Sequence, residues 1–470
     1  MRRVVKWTGV VIVITILYQI RHWVSSAQRL RDPKAYETCA KDPLCRHNLQ
    51  LGPVEWFHPN PDTYSYIEPT YRVLKGGPYQ LDYRLPGLGI IYALGYVLGG
   101  EAGAFWILGI GGVLVWGLGQ GIWAAYLERK GISPWLIGLG IALVGATPTF
   151  PHTIWGLLTE PYAGGLGLLG LYLLRKQRWT PAGLLFAWVY FLRPVLGVWL
   201  LPTTWYAWKQ ARWRGSLFFL APFLLTEGAW IVRNWLVYQD FRPLSGTRTV
   251  LSLTYETGLE PAIIKLLRLT GYEFADIFRG AVPPLSDWKN IFKELENDLI
   301  CTPESLYLYA KEVENLLRHS TYRNFFSRIE DPVPSQEDCE KEALLIAKIQ
   351  NCAQRLRVKK PWARLSTIWV RLRKASYTPS PLSEKAHLRD TVSRIYQITL
   401  YILCFIIIIF PQFITKQGHF ARMVGIISFT PILIYLGLEA VDRRYIDIQL
   451  LFGMLHLAIA KLDQKHHNIK

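Results

Sequence analysis

The chain has few acids, few cysteines and no signature that would remove its N-terminus. Its 35 acidic residues face 53 Lys and Arg, which leaves a net charge of +18. The cations occur as short clusters between apolar runs, as expected for loops that orient a chain in a bilayer and touch anionic lipid. A nucleic-acid partner is therefore not expected. The six cysteines lack the paired spacing of a zinc site. Cys39 with Cys45, or two of Cys301, Cys339 and Cys352, can form disulfides; Cys404 lies inside an apolar run as a small apolar residue. No small-x-small cleavage site follows the first apolar run, and Gln19-Ile20-Arg21-His22 stands in its place, so that run reads as a retained anchor. The glycine-rich runs 109–121 and 164–170 have no strand before them. That argues against a phosphate-cradling loop and for close helix packing. The paired broken helices and internal repeats that mark secondary transporters are also missing.

What the chain has in quantity is apolar sequence. Apolar residues make up 51% and aromatics 14%, and the mean hydropathy is +0.15. Runs 4–20, 104–126, 135–150, 160–174, 216–232, 395–415, 423–440 and 445–461 are mostly apolar and near spanning length. The expected fold class is all-α: a polytopic integral membrane protein of about 10 spans, within a range of about 8–12. Trp155, Trp188, Trp199, Trp205, Trp208 and Trp213 fit aromatic belts at headgroup level.

The basic clusters 1–6, 128–130, 175–178, 209–214, 416–422 and the tail from Lys461 mark candidate inner loops. A consistent alternation needs two conditions. Residues 87–100 must not cross the membrane, but lie in the outer interface or dip in and back. Residues 180–208 must form two short spans that turn outside at Leu192-Arg193-Pro194, where Pro breaks the hydrophobic run. Both termini are then cytoplasmic, and the outer loops are 21–102, 151–160, 192–195, 233–394 and 440–445. Three parts follow: an N-terminal transmembrane catalytic module over 1–232, a large and mainly helical outer loop domain over 233–394, and C-terminal transmembrane helices with a short tail over 395–470. In the large loop, helical periods at 292–299, 304–317 and 341–356 are separated by Pro-rich joints. Residues 359–374 mix cations with Trp and Leu, and fit either a surface-lying or a solvated helix.

This topology collects the unusual polar residues on the outer side. The first outer loop holds His58-Pro-Asn-Pro-Asp62, Tyr66, Glu68, the Lys75-Gly-Gly77 turn and Arg84-Leu-Pro86. Glu160 opens a span, Arg193 sits at a hairpin tip, and Arg233-Asn234 closes a span. Arg443-Arg444-Tyr445 lies at the last outer turn. Ionisable groups at such depths are costly and usually functional.

The series Asp62-x-x-x-Tyr66 with Gly76, Arg84-x-Pro86, Thr159-Glu160, Arg193-Pro194, Arg233-Asn234 with Phe241-x-Pro243, and Arg444-Tyr445 resembles the GT-C superfamily of membrane glycosyltransferases. It is most similar to the branch of dolichyl-phosphate-mannose–protein mannosyltransferases and aminoarabinose transferases. The resemblance covers residues 1 to about 245 and 395 to 460. It implies a transferase moving a sugar from a polyprenyl-phosphate donor to a lipid, glycan or protein acceptor at the outer (periplasmic or luminal) face. The implied location is a membrane such as the bacterial inner membrane, among membrane lipids.

By the same resemblance, Asp62 is the candidate general base, and Glu160 is the second outer acid, positioning the acceptor or a cation. Thr63 follows Asp62 where many members carry Glu, so a paired acid is missing there. Substrate contacts are expected from Tyr66, Glu68, Arg84, Arg193, Arg233, Asn234, Arg443, Arg444 and Tyr445, with Arg84 and the Arg443–Arg444 pair on donor phosphate. A divalent ion on Asp62 and Glu160, with His58 as a further candidate ligand, would replace part of that cationic stabilisation. The alternative is a polymerase, ligase or flippase of polyprenyl-linked glycans, and after it a transporter.

Overall fold

The computed structural model describes residues 1–31, 61–77, 85–145, 157–238, 241, 243–244, 419–437 and 443–467, together with 289, 301–309, 311, 344–345, 347–348, 351–352 and 355. All regular structure among them is helical, which agrees with the expected all-α class. The chain divides into two compact units. One comprises Met1–Arg248, Pro379–Gly437 and Asp442–Lys470; the other comprises Thr249–Thr378 and Leu438–Val441.

The first unit contains α1 (Arg2–Arg31), α2 (Pro61–Leu74), α3 (Gly87–Arg129), α4 (Pro134–Gly145), α5 (Glu160–Arg175), α6 (Trp179–Leu192), a 3-10 turn (Pro194–Trp199), α7 (Leu200–Tyr238), α8 (His419–Gly437) and α9 (Arg443–His467). Two of these helices are folded on themselves. In α3 the helical geometry fails at Gly99 (φ −161, ψ 29) and Gly100 (φ 63, ψ −155). The latter is a left-handed region that favours glycine. Residues 87–98 then return against the next limb: Gly95 abuts Gly103 and Ala104, and the Tyr92 and Phe105 rings meet at 6.0 Å. Residues 87–100 are thus a separate limb and do not extend the helix that follows. In α7 the break falls at Ala211–Arg212, and Gly215 lies on Ala207.

Glycine contacts and ring pairs set the helix directions. Along the second limb of α3, α1 runs antiparallel, with Thr8 on Gly121 and Ile12 on Gly117. Helix α5 runs parallel to the same limb. Tyr162 donates to the Leu108 carbonyl (2.9 Å), Gly165 touches Val115, and Trp123 donates to the Leu168 carbonyl (2.8 Å). Helix α6 returns, placing Phe186 on Gly170. Arg193 is extended (φ −146, ψ 97) and ends α6, as expected of a residue before proline. Tyr190 on Gly197 and Trp179 by Tyr206 (6.5 Å) show that residues 194–210 run back beside α6. The second limb of α7 then follows α6 in parallel, with Phe186–Phe219 at 5.7 Å and Phe191–Trp230 at 6.4 Å. Helices α8 and α9 are antiparallel, and His456 Nδ1 lies 2.7 Å from the Ala421 carbonyl.

These directions gather the basic turns at one end of the unit. Trp7 donates to Glu128 at 2.9 Å, and Lys6 lies 3.4 Å from the same carboxylate. The Trp7 bond and the neighbouring cations hold the Glu128 carboxyl below its ordinary range. Arg175 donates to the Tyr126 hydroxyl (2.8 Å) and stacks near Phe420. Turns 130–131, 175–178 and 211–212 all lie at this end. Helix α2, the start of α5 and the end of α6 share one buried cluster, including Tyr66, Leu108, Leu157, Tyr162 and Leu192, at the other end.

Two helical stretches among the described residues are long and apolar enough to cross a membrane, Gly87–Arg129 and Pro194–Leu236. Both contain one of the reversals above. Pro134–Gly145, Trp179–Leu192 and Leu451–Ala460 are shorter apolar helices.

In the second unit, Cys301 and Cys352 form a disulfide with their Cα atoms 5.5 Å apart. This is one of the pairings open in the sequence and the one found among the described residues; Cys39, Cys45, Cys339 and Cys404 lie outside them. Thr302 caps the following turn by accepting from the Ser305 amide (3.2 Å). Lys289 pairs with Glu304 at 3.0 Å.

Candidate functional site

At the end opposite the basic turns, a carboxylate and a guanidinium are buried against each other. Glu160 opens α5 and is 2% exposed; Arg193 follows α6 and is 7% exposed. Arg193 Nη1 donates to Glu160 Oε1, and the Thr159 hydroxyl donates to Glu160 Oε2 at 3.4 Å. The local sequence dictates both positions. Glu160 precedes Pro161 in the first turn of a helix, where an acid meets the positive end of the helix dipole. Arg193 precedes Pro194, which stops α6 and leaves the side chain at the break. Two positions 33 residues apart therefore meet because α5 and α6 are antiparallel neighbours.

Helix α2 packs at the same end. Thr63, Tyr66 and Ile67 are buried, and Thr70 lies against Gly89. The Lys75-Gly-Gly77 turn closes this helix. Gly76 takes φ +85, and the Gly77 amide donates to the Arg72 carbonyl (2.9 Å), a glycine C-terminal stop. Asp62 and Glu68 lie on α2, with Asp62 in its first turn and one turn before Tyr66. At the tip of this region, Lys75 sits over the rings of Tyr71 (5.4 Å) and Tyr96 (5.7 Å). The Tyr96 bond raises the Lys75 ammonium above its ordinary range.

The start of α3 reaches the pair from the other side. A side chain at Gly87 would meet the Phe191 carbonyl at 2.5 Å and the Leu192 nitrogen at 2.6 Å, so the backbone just after Arg84 rests on the last turn of α6. Arg84 and His58 themselves lie outside the described residues. Arg233 and Asn234 stand near the end of α7: Arg233 donates to Asn234 Oδ1 (2.7 Å) and lies over the Trp230 ring (5.0 Å). Arg443, Arg444 and Tyr445 form the first turn of α9. Phe452, further along α9, meets Trp199 at 4.7 Å, which puts that first turn on the Arg193 side of Trp199.

The structure thus brings Glu160 and Arg193 into direct contact and places Tyr66, Asn234 and the start of α9 at the same end. A cation beside Glu160 is already supplied by Arg193. Among the described residues no three His, Cys, Asp or Glu side chains cluster as metal ligands. Glu160 therefore already has its counter-charge, and the other candidate metal ligands, the Asp62 side chain and His58, lie outside the described residues. An apolar cavity of about 300 Å³, lined by Trp123, Ile137, Leu168 and Met454 among others, lies toward the basic end and contains none of the candidates.

No protein-family model, curated protein or solved structure matches the chain.

One acid at this end escapes the motif series. Glu227, in the apolar second limb of α7, is 5% exposed and accepts the Leu244 amide at 2.7 Å. The signal was present in the sequence: it is a lone carboxylate inside the apolar run 216–232.

Proposed function

We propose that the chain is a polytopic membrane glycosyltransferase. It moves a sugar from a polyprenyl-phosphate donor to an acceptor hydroxyl or amine at the outer face of the membrane. The observation that carries this reading is the buried Glu160–Arg193 pair beside α2, at the end of the helix bundle opposite its basic turns. Lys and Arg collect on the cytoplasmic side of membrane proteins, so the acid-bearing end faces outward. Buried ion pairs in such segments are retained for function more readily than for stability.

The chemistry is one displacement. The acceptor oxygen or nitrogen attacks the anomeric carbon, the bond from that carbon to the phosphate oxygen breaks, and polyprenyl phosphate leaves with the electron pair. The acceptor proton passes to the Asp62 carboxylate, the general base of the first outer loop. Arg84 and the Arg443–Arg444 pair neutralise the departing phosphate with charge-assisted hydrogen bonds. Glu160 acts through Arg193 as a positioning residue: it holds the guanidinium at the helix break. Inversion at the anomeric carbon needs a single base, so Thr63 in place of a second acid is compatible with the scheme.

The test is transfer from a radiolabelled polyprenyl-phosphate sugar by the purified protein in lipid. Asp62→Asn is expected to lower the rate at least about 100-fold, the usual contribution of a positioned base. Full activity in that variant removes the base assignment. Movement of labelled lipid across the membrane with no transfer in the wild type replaces the transferase with a flippase.

A further inference from the structure

The second limb of α7 carries two buried polar groups that the proposed chemistry does not use. Glu227 accepts the Leu244 amide through Oε1, while its Oε2 is buried with no partner among the described residues. Asn234 is 0% exposed. Its Oδ1 accepts from Arg233, and its Nδ2 is likewise buried with no partner among the described residues. One atom is an acceptor and the other a donor. Leaving either in a dry interior costs the full desolvation of that group, so a fold under no other constraint would replace them with apolar residues.

Their placement on the helix is specific. At 3.6 residues per turn, Phe223, Glu227, Trp230 and Asn234 fall within about 60° of arc on one face. Phe223 meets Tyr190 at 5.1 Å and Trp230 meets Phe191 at 6.4 Å. That face therefore looks onto the last turn of α6, next to the residue that pairs with Glu160. A carboxylate oxygen that wants a hydrogen bond and an amide N–H that wants an acceptor, set along one face, suit a ligand whose groups both donate and accept. Sugars have that property at each free hydroxyl, whereas a fully ionised phosphate or an apolar chain does not. The other Glu227 oxygen holds the chain that follows α7, where Phe241 turns back onto Trp235 (6.5 Å).

We infer that Glu227 and Asn234 form a sugar-hydroxyl subsite, in which Glu227 Oε2 accepts from a hydroxyl and Asn234 Nδ2 donates to one. The inference rests on the transferase reading for its role in turnover, but not for binding. Glu227→Gln keeps an oxygen for the Leu244 amide and replaces the carboxylate acceptor with a donor. The expected result is at least a tenfold fall in kcat/KM, carried mainly by KM, with a melting temperature equal to or above that of the wild type. Asn234→Asp is expected to lower kcat/KM as well. Wild-type kcat/KM in Glu227→Gln overturns the subsite, as does a loss of activity matched by a loss of helix content and restored by Glu227→Asp and Glu227→Leu alike.

A binding measurement separates this outcome from the fate of the transferase reading. Free pentoses and hexoses are titrated onto the protein in nanodiscs, without glycoside detergents, and the thermal shift is read. A shift in the wild type that is lost in Glu227→Gln supports the subsite even if no sugar transfer is found. The absence of any shift in the wild type overturns it.

Discussion

At the scale of single residues, the Glu160–Arg193 pair is a buried ion pair, and its energetics are asymmetric. Removing one partner takes the counter-charge from the other in a buried region, where Leu157, Leu158 and Leu192 are all nearly inaccessible. Arg193→Ala is therefore expected to destabilise the protein by about 3–5 kcal/mol. Replacing both residues with apolar side chains of similar size is expected to cost far less, because no buried charge remains. Thermal unfolding in detergent checks both variants. Sugar transfer should be lost in both, since positioning of the guanidinium fails either way. A single Arg193→Ala variant with wild-type melting temperature would show that Glu160 has another means of compensation. The charge partners were legible only in part from sequence. Each was conspicuous alone, as an ionisable group beside proline at the end of an apolar run, but nothing in the spacing of 160 and 193 specifies contact. That follows from the antiparallel packing of α5 on α6. Glu227 is legible by a different signal, a lone carboxylate inside an apolar run, yet it belongs to no series of motifs.

At the scale of elements, glycine decides which helices approach closely. Gly183 on α6 faces the Phe219 carbonyl on α7, and a methyl group there would overlap that oxygen. The obstacle is backbone and cannot rotate away, so Gly183→Ala is expected to push the two helices apart and cost about 1–3 kcal/mol or more. Gly138 on α4 has nothing within 4 Å. The same substitution there is expected to be neutral or to stabilise by up to about 1 kcal/mol, through helix propensity and lost unfolded-state entropy. Melting temperatures of the two variants under identical conditions test the contrast, and equal effects would refute the packing argument. The elements themselves were largely readable. The basic clusters 128–130, 175–178 and 209–214 fall at helix reversals because charges are costly within an apolar segment, and Arg193-Pro194 ends α6 because Pro is a poor helix interior. For residues 87–100 the sequence predicts a stretch that does not cross the membrane, and it does not specify the fold-back at Gly99–Gly100. Its contacts depend on Gly95 meeting Gly103 and Ala104, which hydropathy does not encode.

At the scale of the whole molecule, the decisive property is polarity from end to end. One end of the first unit holds Glu128 with Arg3 and Lys6, Arg175 with Tyr126, and the turn at Arg212; the other holds Glu160 with Arg193 and the helix that carries Asp62. If the first unit lies across a bilayer as proposed, residues at the two ends must react with reagents on opposite sides. Lys75 is exposed beside Gly76 at the end of α2, and Gln177 sits in the α5–α6 turn with φ 57. A maleimide that cannot cross membranes, applied to intact cells, is expected to label Lys75→Cys above the level of the parent chain. Gln177→Cys should be labelled only after permeabilisation. The reverse pattern would place Asp62 and Glu160 in the cytoplasm, where a base for lipid-linked sugar transfer at the outer face has no substrate. Labelling of both positions from outside would mean that the helices do not span at all. The helix directions make the result more informative than a test of one loop. Because α5 and α6 are antiparallel and joined at 176–178, fixing the side of Gln177 also fixes the opposite side for the Glu160–Arg193 pair at their far ends.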